Sequence, residues 1–363
     1  MRALSFLFAF VLGCPSAEPV PDPDPTPAEP VFHDPTAAGP FAVGSRTIFV
    51  YDPERERGID AEVWYPAIAG TGSGASPPFA LMDAEVDAEV DTTEAPFPLI
   101  AFSHGSQGIR AQSVSHTEWL ATHGYVVVAP SHVGNTVFDD GDTPRWQIAL
   151  DRPPDVSRSI DVVLGLNGRA DDPLFRLIDA DRIGAVGHSF GALTVQMLAG
   201  LVATESPFDD LPPEAPPPPW DFTDPRVKAA IPMTPAGYSS FADRITDVTT
   251  PILYMGASDD GTLPVEEEAI PLYEGTPGAG LAMLEGAGHL TYSDMCSFLP
   301  DFGEGCGDGW LDPELAWPVV NMWAGAFLGL HIKGDDRYLP YLDPERALPE
   351  WASIEWKDGA LTP

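Results

Sequence analysis

Gly187-His188-Ser189-Phe190-Gly191 sets a serine hydroxyl between two residues that lack side chains. The spacing fits G-x-S-x-G, a pattern with mechanical meaning only where a strand ends and a helix begins. Residues 182–186 read as an apolar strand and residues 190–202 as a helix, so this segment meets the condition. Gly187 and Gly191 permit a turn too tight for larger neighbours, and Ala192 keeps the following position slim. Such a turn holds Ser189 at its tip, while the new helix points unpaired N–H groups and its positive end at the same spot. The chemistry available to a serine so placed is nucleophilic attack on a carbonyl, and it needs a base.

Eight histidines could supply that base. His33 falls in a proline-rich stretch, and His104 and His188 sit in tight turns. His116, His123 and His132 precede the serine, and His331 ends a predicted helix, where capping is its expected role. His289 closes Glu285-Gly286-Ala287-Gly288-His289, directly after a last predicted strand at residues 281–284. An acid should follow the strand between nucleophile and base, to fix the imidazole tautomer. The segment at residues 255–264 offers two neighbours, Asp259 and Asp260. Asp260 is preferred, because it stands four residues before Pro264, and Asp259 is the alternative. The order Ser, Asp, His is that of α/β-hydrolases. An oxyanion also needs two backbone N–H donors. Phe190 should give one, and Ser106, after His104-Gly105, the other.

The elements needed to position these groups can be read along the chain. Residues 42–51 and 60–65 form extended segments around a polar turn, and residues 67–96 form a long loop. Residues 99–102, 125–129, 182–186, 227–233, 252–256 and 281–284 are apolar runs of the kind that make buried parallel strands. Helices are expected over 113–123, from 154 to about 166, over 190–202 and over 314–330. Residues 206–219 are too proline-rich for regular structure. Strands alternating with helices imply a mostly parallel central sheet covered on both faces, an α/β-hydrolase fold in one domain over residues 41–363.

The chain's ends and charge bear on where such a domain works. With 18 Lys plus Arg against 55 Asp plus Glu, the net charge is −37, which repels nucleic-acid phosphates and sets nucleic-acid binding aside. Met1-Arg2, the apolar run at residues 4–12 and Val11-Leu12-Gly13-Cys14 resemble a bacterial lipoprotein signal over residues 1–14. Lipidation of Cys14 would tether the exported domain to a membrane face, whereas ordinary secretion would release it. Residues 15–40, rich in Pro and acidic residues, read as a disordered spacer. In an exported protein Cys296 and Cys306 are expected to form a disulfide. No H-E-x-x-H or Cys/His cluster suggests a metal, and the acidic strings at 139–142 and 301–308 do not follow a calcium-loop pattern.

Taken in order, residues 58–67, 102–136, 182–192, 224–236, 256–265 and 286–296 resemble the plasma-type platelet-activating-factor acetylhydrolase family. That family includes bacterial members often labelled dienelactone hydrolases. The resemblance runs from about residue 42 to 342 and implies a calcium-independent carboxylic-ester hydrolase that needs no cofactor. The layout is also similar to bacterial cutinases and polyester hydrolases, although the turn His104-Gly105 stands nearer the acetylhydrolases. Dienelactone hydrolases proper use a cysteine nucleophile, and Ser189 argues against that chemistry here. The expectation is therefore a serine esterase that hydrolyses short-acyl esters, small-molecule or acetylated-lipid, through a covalent acyl-enzyme, with no protein partner evident. A cutinase-like polyester hydrolase is the alternative, and a tethered, inactive binding protein is the alternative of another class.

Overall fold

A computed structural model describes residues 31–208, 211–357 and 361. The signal segment, Cys14 and residues 15–30 of the spacer lie outside the described residues. The ordered chain starts earlier than its composition suggests. Phe32 packs its ring 4.9 Å from that of Tyr338, and His33 Nε2 lies 2.9 Å from Glu94. Residues 31–40, expected in the spacer, are thus docked on the domain, because Phe32 gives them apolar surface to bury against Tyr338.

Among the described residues ten strands form one sheet. In chain order the elements are β1 (Ala42–Asp52), β2 (Arg57–Ala67), β3 (Glu85–Val86), β4 (Phe97–Ser103), α1 (Val114–Thr122), β5 (Val126–Pro130), α2 (Arg145–Asn167), β6 (Ile178–His188), α3 (Phe190–Leu198), β7 (Val227–Met233), α4 (Tyr238–Phe241), β8 (Leu253–Ala257), α5 (Ala269–Gly275), β9 (Gly280–Leu284), α6 (Pro313–His331) and β10 (Ala352–Trp356). The spatial order is β10-β9-β8-β7-β6-β4-β5-β2-β1-β3. From β5 across to β9 the neighbours run parallel. β2 joins β5 and β10 joins β9 antiparallel, so the sheet is mixed at its flanks. The fold is that of the α/β-hydrolases.

The central strands are buried on both faces, which explains their unbroken apolar runs. Their side chains still alternate between two cores. Ile100, Phe102 and Val127 join Leu120 of α1 with Trp323 and Phe327 of α6 on one face. Leu99, Ala101 and Val126 join Val156 and Ile160 of α2 with Val195 of α3 on the other. The chain leaves β4 for β5 on one side and then returns past β4 to β6 on the other. That reversal opens a crevice at the carboxyl ends of β4 and β6, where ligands of open parallel sheets bind.

Several elements depart from expectation, among them the short β3 within the expected 67–96 loop and the one-turn α4. α2 begins at Arg145 rather than at residue 154 and holds Pro153 and Pro154 inside it. Its first turns bury Ile148, Ala149 and Arg152, and that packing outweighs two missing N–H donors. β10 was not expected, and it completes the β9 edge. α5 was not expected either. His331, expected to cap, packs its ring edge-on against Phe327 at 4.6 Å.

Candidate active site

β6 ends at His188 and α3 starts at Phe190, leaving Ser189 alone at the apex with φ +56° and ψ −118°. This left-handed backbone is strained for a residue with a Cβ, and the surrounding contacts hold it. Ser189 N–H donates to Met233 O at 2.9 Å, and Ser189 O accepts from Ala192 and Leu193 N–H. A Cβ on Gly187 would run into the Gly191 carbonyl, and one on Gly191 into the Ser103 carbonyl. Both glycines are therefore required by the tightness of the turn.

Ser189 Oγ lies 2.8 Å from His289 Nε2, and His289 Nδ1 lies 2.7 Å from Asp260 Oδ2. The loops after β6, β8 and β9 thus bring the three expected side chains into one hydrogen-bonded line. Asp260 and His289 are buried, whereas Asp259 is exposed and its carboxylate accepts from Ser258 Oγ. The remaining oxygen of Asp260 accepts N–H bonds from Thr262 and Leu263, at 2.9 and 2.7 Å. That geometry turns Oδ2 toward the imidazole.

Phe190 is the first residue of α3, where backbone N–H groups have no partner inside the helix. Ser106 is exposed in the turn after β4. A Cβ on Gly105 would come 3.4 Å from Ser189 Cβ and 3.1 Å from His188 Nδ1, so this turn lies against the serine. Phe190 thus follows Ser189 directly, and Ser106 follows a glycine packed against it.

Several positioning groups escaped the sequence reading. Gln112 accepts from Gly105 N–H at 2.9 Å, and its Nε2 lies 2.7 Å from His188 Nδ1. An amide N–H₂ only donates, so His188 carries its proton on Nε2 and gives it to His289 O at 2.8 Å. One chain of bonds therefore links the β4 turn, the serine turn and the histidine loop. Burial, then the neighbouring His289, pulls His188 down to about 3, which keeps it neutral and fit for this role. Nothing in the spacing of Gln112 marks it. His188 was visible in its motif but carries no sequence signal of its contact.

Cys296 and Cys306 are joined in a disulfide. The loop they close carries Glu304, whose carboxylate accepts from Gly261 N–H and Thr262 Oγ1, while its carbonyl accepts from Leu290 N–H. The bridged loop thus ties the acid loop to the base loop. For a closure of this length the bridge should contribute about 2–3 kcal/mol through the unfolded chain. Changing both cysteines to serine is expected to lower the thermal unfolding temperature by several degrees (~2–4 °C per kcal/mol). An unchanged unfolding temperature would mean that other contacts suffice to hold the loop.

The chain is similar in sequence to known proteins. Residues 79–138 match the family described as platelet-activating factor acetylhydrolase, isoform II. Cutinase est1 of Thermobifida alba is 25% identical over 245 residues, which are 68% of this chain and 64% of that protein. Cutinase 1 of Thermobifida cellulosilytica is 24% identical over 249 residues, 68% of this chain and 72% of that protein. A cutinase of Thermobifida fusca (strain YX) is 24% identical over 249 residues, 68% of this chain and 63% of that protein. The chain spans somewhat less than two thirds of the length of the first and third. It is an α/β-hydrolase similar to the acetylhydrolases and related to the cutinases.

Proposed function

We propose that the protein is a serine carboxylic-ester hydrolase working through a covalent acyl-enzyme. The observation that carries this reading is the unbroken line Ser189–His289–Asp260, with the serine held in left-handed backbone at the tip of its turn. In the first step His289 Nε2 takes the proton of Ser189 Oγ as that oxygen bonds to the ester carbonyl carbon. The carbonyl oxygen becomes an oxyanion, received by the N–H groups of Phe190 and Ser106. Collapse breaks the bond to the alcohol oxygen, and His289 returns its proton to that leaving group. Water then attacks the acyl-serine by the same route, releasing the acid and restoring Ser189. Asp260 stabilises the imidazolium that forms in each half.

The substrate we favour is a short-acyl ester with a polar alcohol. Beside Ser106 opens a cavity of about 340 Å³ that includes Asn135, Thr136, Thr143 and Arg145. Hydroxyls, an amide and a guanidinium suit a polar leaving group better than an alkyl chain. A second reading, a cutinase-like hydrolase of polyester surfaces, is favoured by Val137 and Phe138. These side chains are 59% and 76% exposed on the loop after β5, beside the Ser106 turn. The disulfide supports export, since such bridges persist in oxidising compartments. Among the described residues no helix is long and apolar enough to cross a membrane. Within this proposal, attachment falls to a lipid on Cys14.

The test is a p-nitrophenyl ester series from acetate to palmitate, run beside a polyester film, with a serine-directed phosphonate as label. Fast turnover of acetate and butyrate, with label on Ser189, is the expected result. Preferential release from the film would favour the second reading. A folded protein that hydrolyses no ester and takes no label would leave a tethered binding protein as the better description.

A further inference from the structure

Arg152 is fully buried beneath the turn that carries Ser106. Its Nη2 donates to His104 O and, at 3.2 Å, to Ser103 Oγ. Its Nη1 donates to Asn135 Oδ1 at 2.7 Å and reaches Gly105 O at 3.5 Å. Asn135 Nδ2 in turn donates to Ser106 Oγ at 3.1 Å. The guanidinium also lies 4.9 Å from the centre of the Phe190 ring. One buried cation therefore touches both residues expected to bind the oxyanion, one directly and the other through Asn135.

The contact with Gly105 O has a geometric consequence. That carbonyl and the Ser106 N–H belong to one peptide unit, and in a trans peptide they point in opposite directions. Fixing the carbonyl on the buried side therefore aims the N–H the opposite way, out of a turn that lies against Ser189. His104 Nδ1 and Gly108 N–H, at 2.7 and 3.2 Å from the same oxygen, share the task. Only Arg152 brings a charge, which strengthens the peptide dipole it holds.

Behind Arg152 the direction of the bonds is set by Asp155, whose carboxylate can only accept. His132 must meet it with a protonated Nδ1, which leaves Nε2 of the neutral ring to take the hydrogen of Ser103 Oγ, 3.0 Å away, while that oxygen accepts from Arg152. His132 then donates from Nδ1 to Asp155 Oδ2 at 3.1 Å. Asp155 also accepts from Arg55 and Arg57. Burial, reinforced by the three arginines, pushes His132 well below its ordinary range, so it is neutral as this polarity requires. Burial pulls Arg152 down to about 9, which leaves it charged at neutral pH.

We propose that Arg152 is a positioning residue that orients the Gly105–Ser106 peptide and the Phe190 side of the oxyanion hole, anchored by the Ser103–His132–Asp155 line. The proposal rests on the esterase reading above.

Wild type, Ser189→Ala, Arg152→Met, Arg152→Lys and Asn135→Ala are compared on p-nitrophenyl butyrate, with phosphonate titration and amide exchange over residues 104–108. Arg152→Met is expected to lose kcat by about 10²-fold, the scale of removing an oxyanion donor, with KM within about threefold. Its phosphonylation should slow in parallel while the titrated stoichiometry stays near one per chain. Arg152→Lys should recover part of the rate, and Asn135→Ala should lose about tenfold. A titratable Arg152→Met with wild-type kcat and phosphonylation rate overturns the proposal. If that variant does not fold, unchanged rates in both Arg152→Lys and Asn135→Ala overturn it. Absence of Ser189-dependent turnover in wild type sinks the esterase reading instead. The orientation claim then stands or falls on whether exchange at Gly105 and Ser106 quickens in the folded variants.

Discussion

Ser189→Ala is expected to lower kcat/KM for p-nitrophenyl acetate by roughly 10³-fold or more, with the unfolding temperature within about a degree of wild type. The two halves of this expectation come from different atoms. The backbone of Ser189 is held by its N–H to Met233 O and by its carbonyl to Ala192 and Leu193 N–H, all of which survive in alanine. The left-handed φ is as strained for alanine as for serine, so the substitution adds no new backbone cost. The side chain has one described partner, His289 Nε2 at 2.8 Å, and only that bond is lost. What remains is whatever rate the N–H groups of Phe190 and Ser106 can lend to attack by water. The measurement is initial rates on purified protein with phosphonate labelling in parallel. Turnover within tenfold of wild type in the unlabelled variant would falsify Ser189 as the nucleophile.

Much of this site is legible in the sequence because its parts are local. A glycine-flanked serine between a strand and a helix, a histidine just past a strand and an aspartate at fixed distance from Pro264 are all short-range patterns. The six buried parallel strands were legible for the same reason, since each contains a short apolar run. The start of α2 was hidden because prolines usually mark a helix's first turn, and here Pro153-Pro154 lie in its middle. That displacement also hid Arg152, which precedes the expected start at residue 154 and which the longer helix carries under the Ser106 turn. β10 did carry a period-two signal, with Ser353 and Glu355 outward and Ile354 and Trp356 inward, but five residues are short to trust alone. The links through Gln112, His188 and His132 had no sequence signal. They join residues far apart in the chain, and only the crossing of β4 by its neighbours brings them within bonding distance.

Asp260→Asn is expected to cost about 10³- to 10⁴-fold in kcat, whereas Asp259→Asn should stay within about threefold of wild type. The adjacent pair makes the comparison sharp, because both changes remove one charge from the same loop. In Asp260→Asn the amide oxygen keeps the place of Oδ1, where Thr262 and Leu263 N–H groups demand an acceptor. The N–H₂ group then faces His289 Nδ1, which must become an acceptor in turn. The imidazole proton moves to Nε2, the nitrogen that has to take the proton of Ser189. The ring stays in place but in the wrong tautomer, so KM should change little while kcat collapses. Asp259 has no part in that chain: its carboxylate accepts from Ser258 and its backbone N–H donates to Ala287 O. Steady-state rates for the two variants, with thermal unfolding as a control for folding, decide the matter. Equal losses would point to a charge effect spread over the loop, and a larger loss at position 259 would overturn the choice of Asp260.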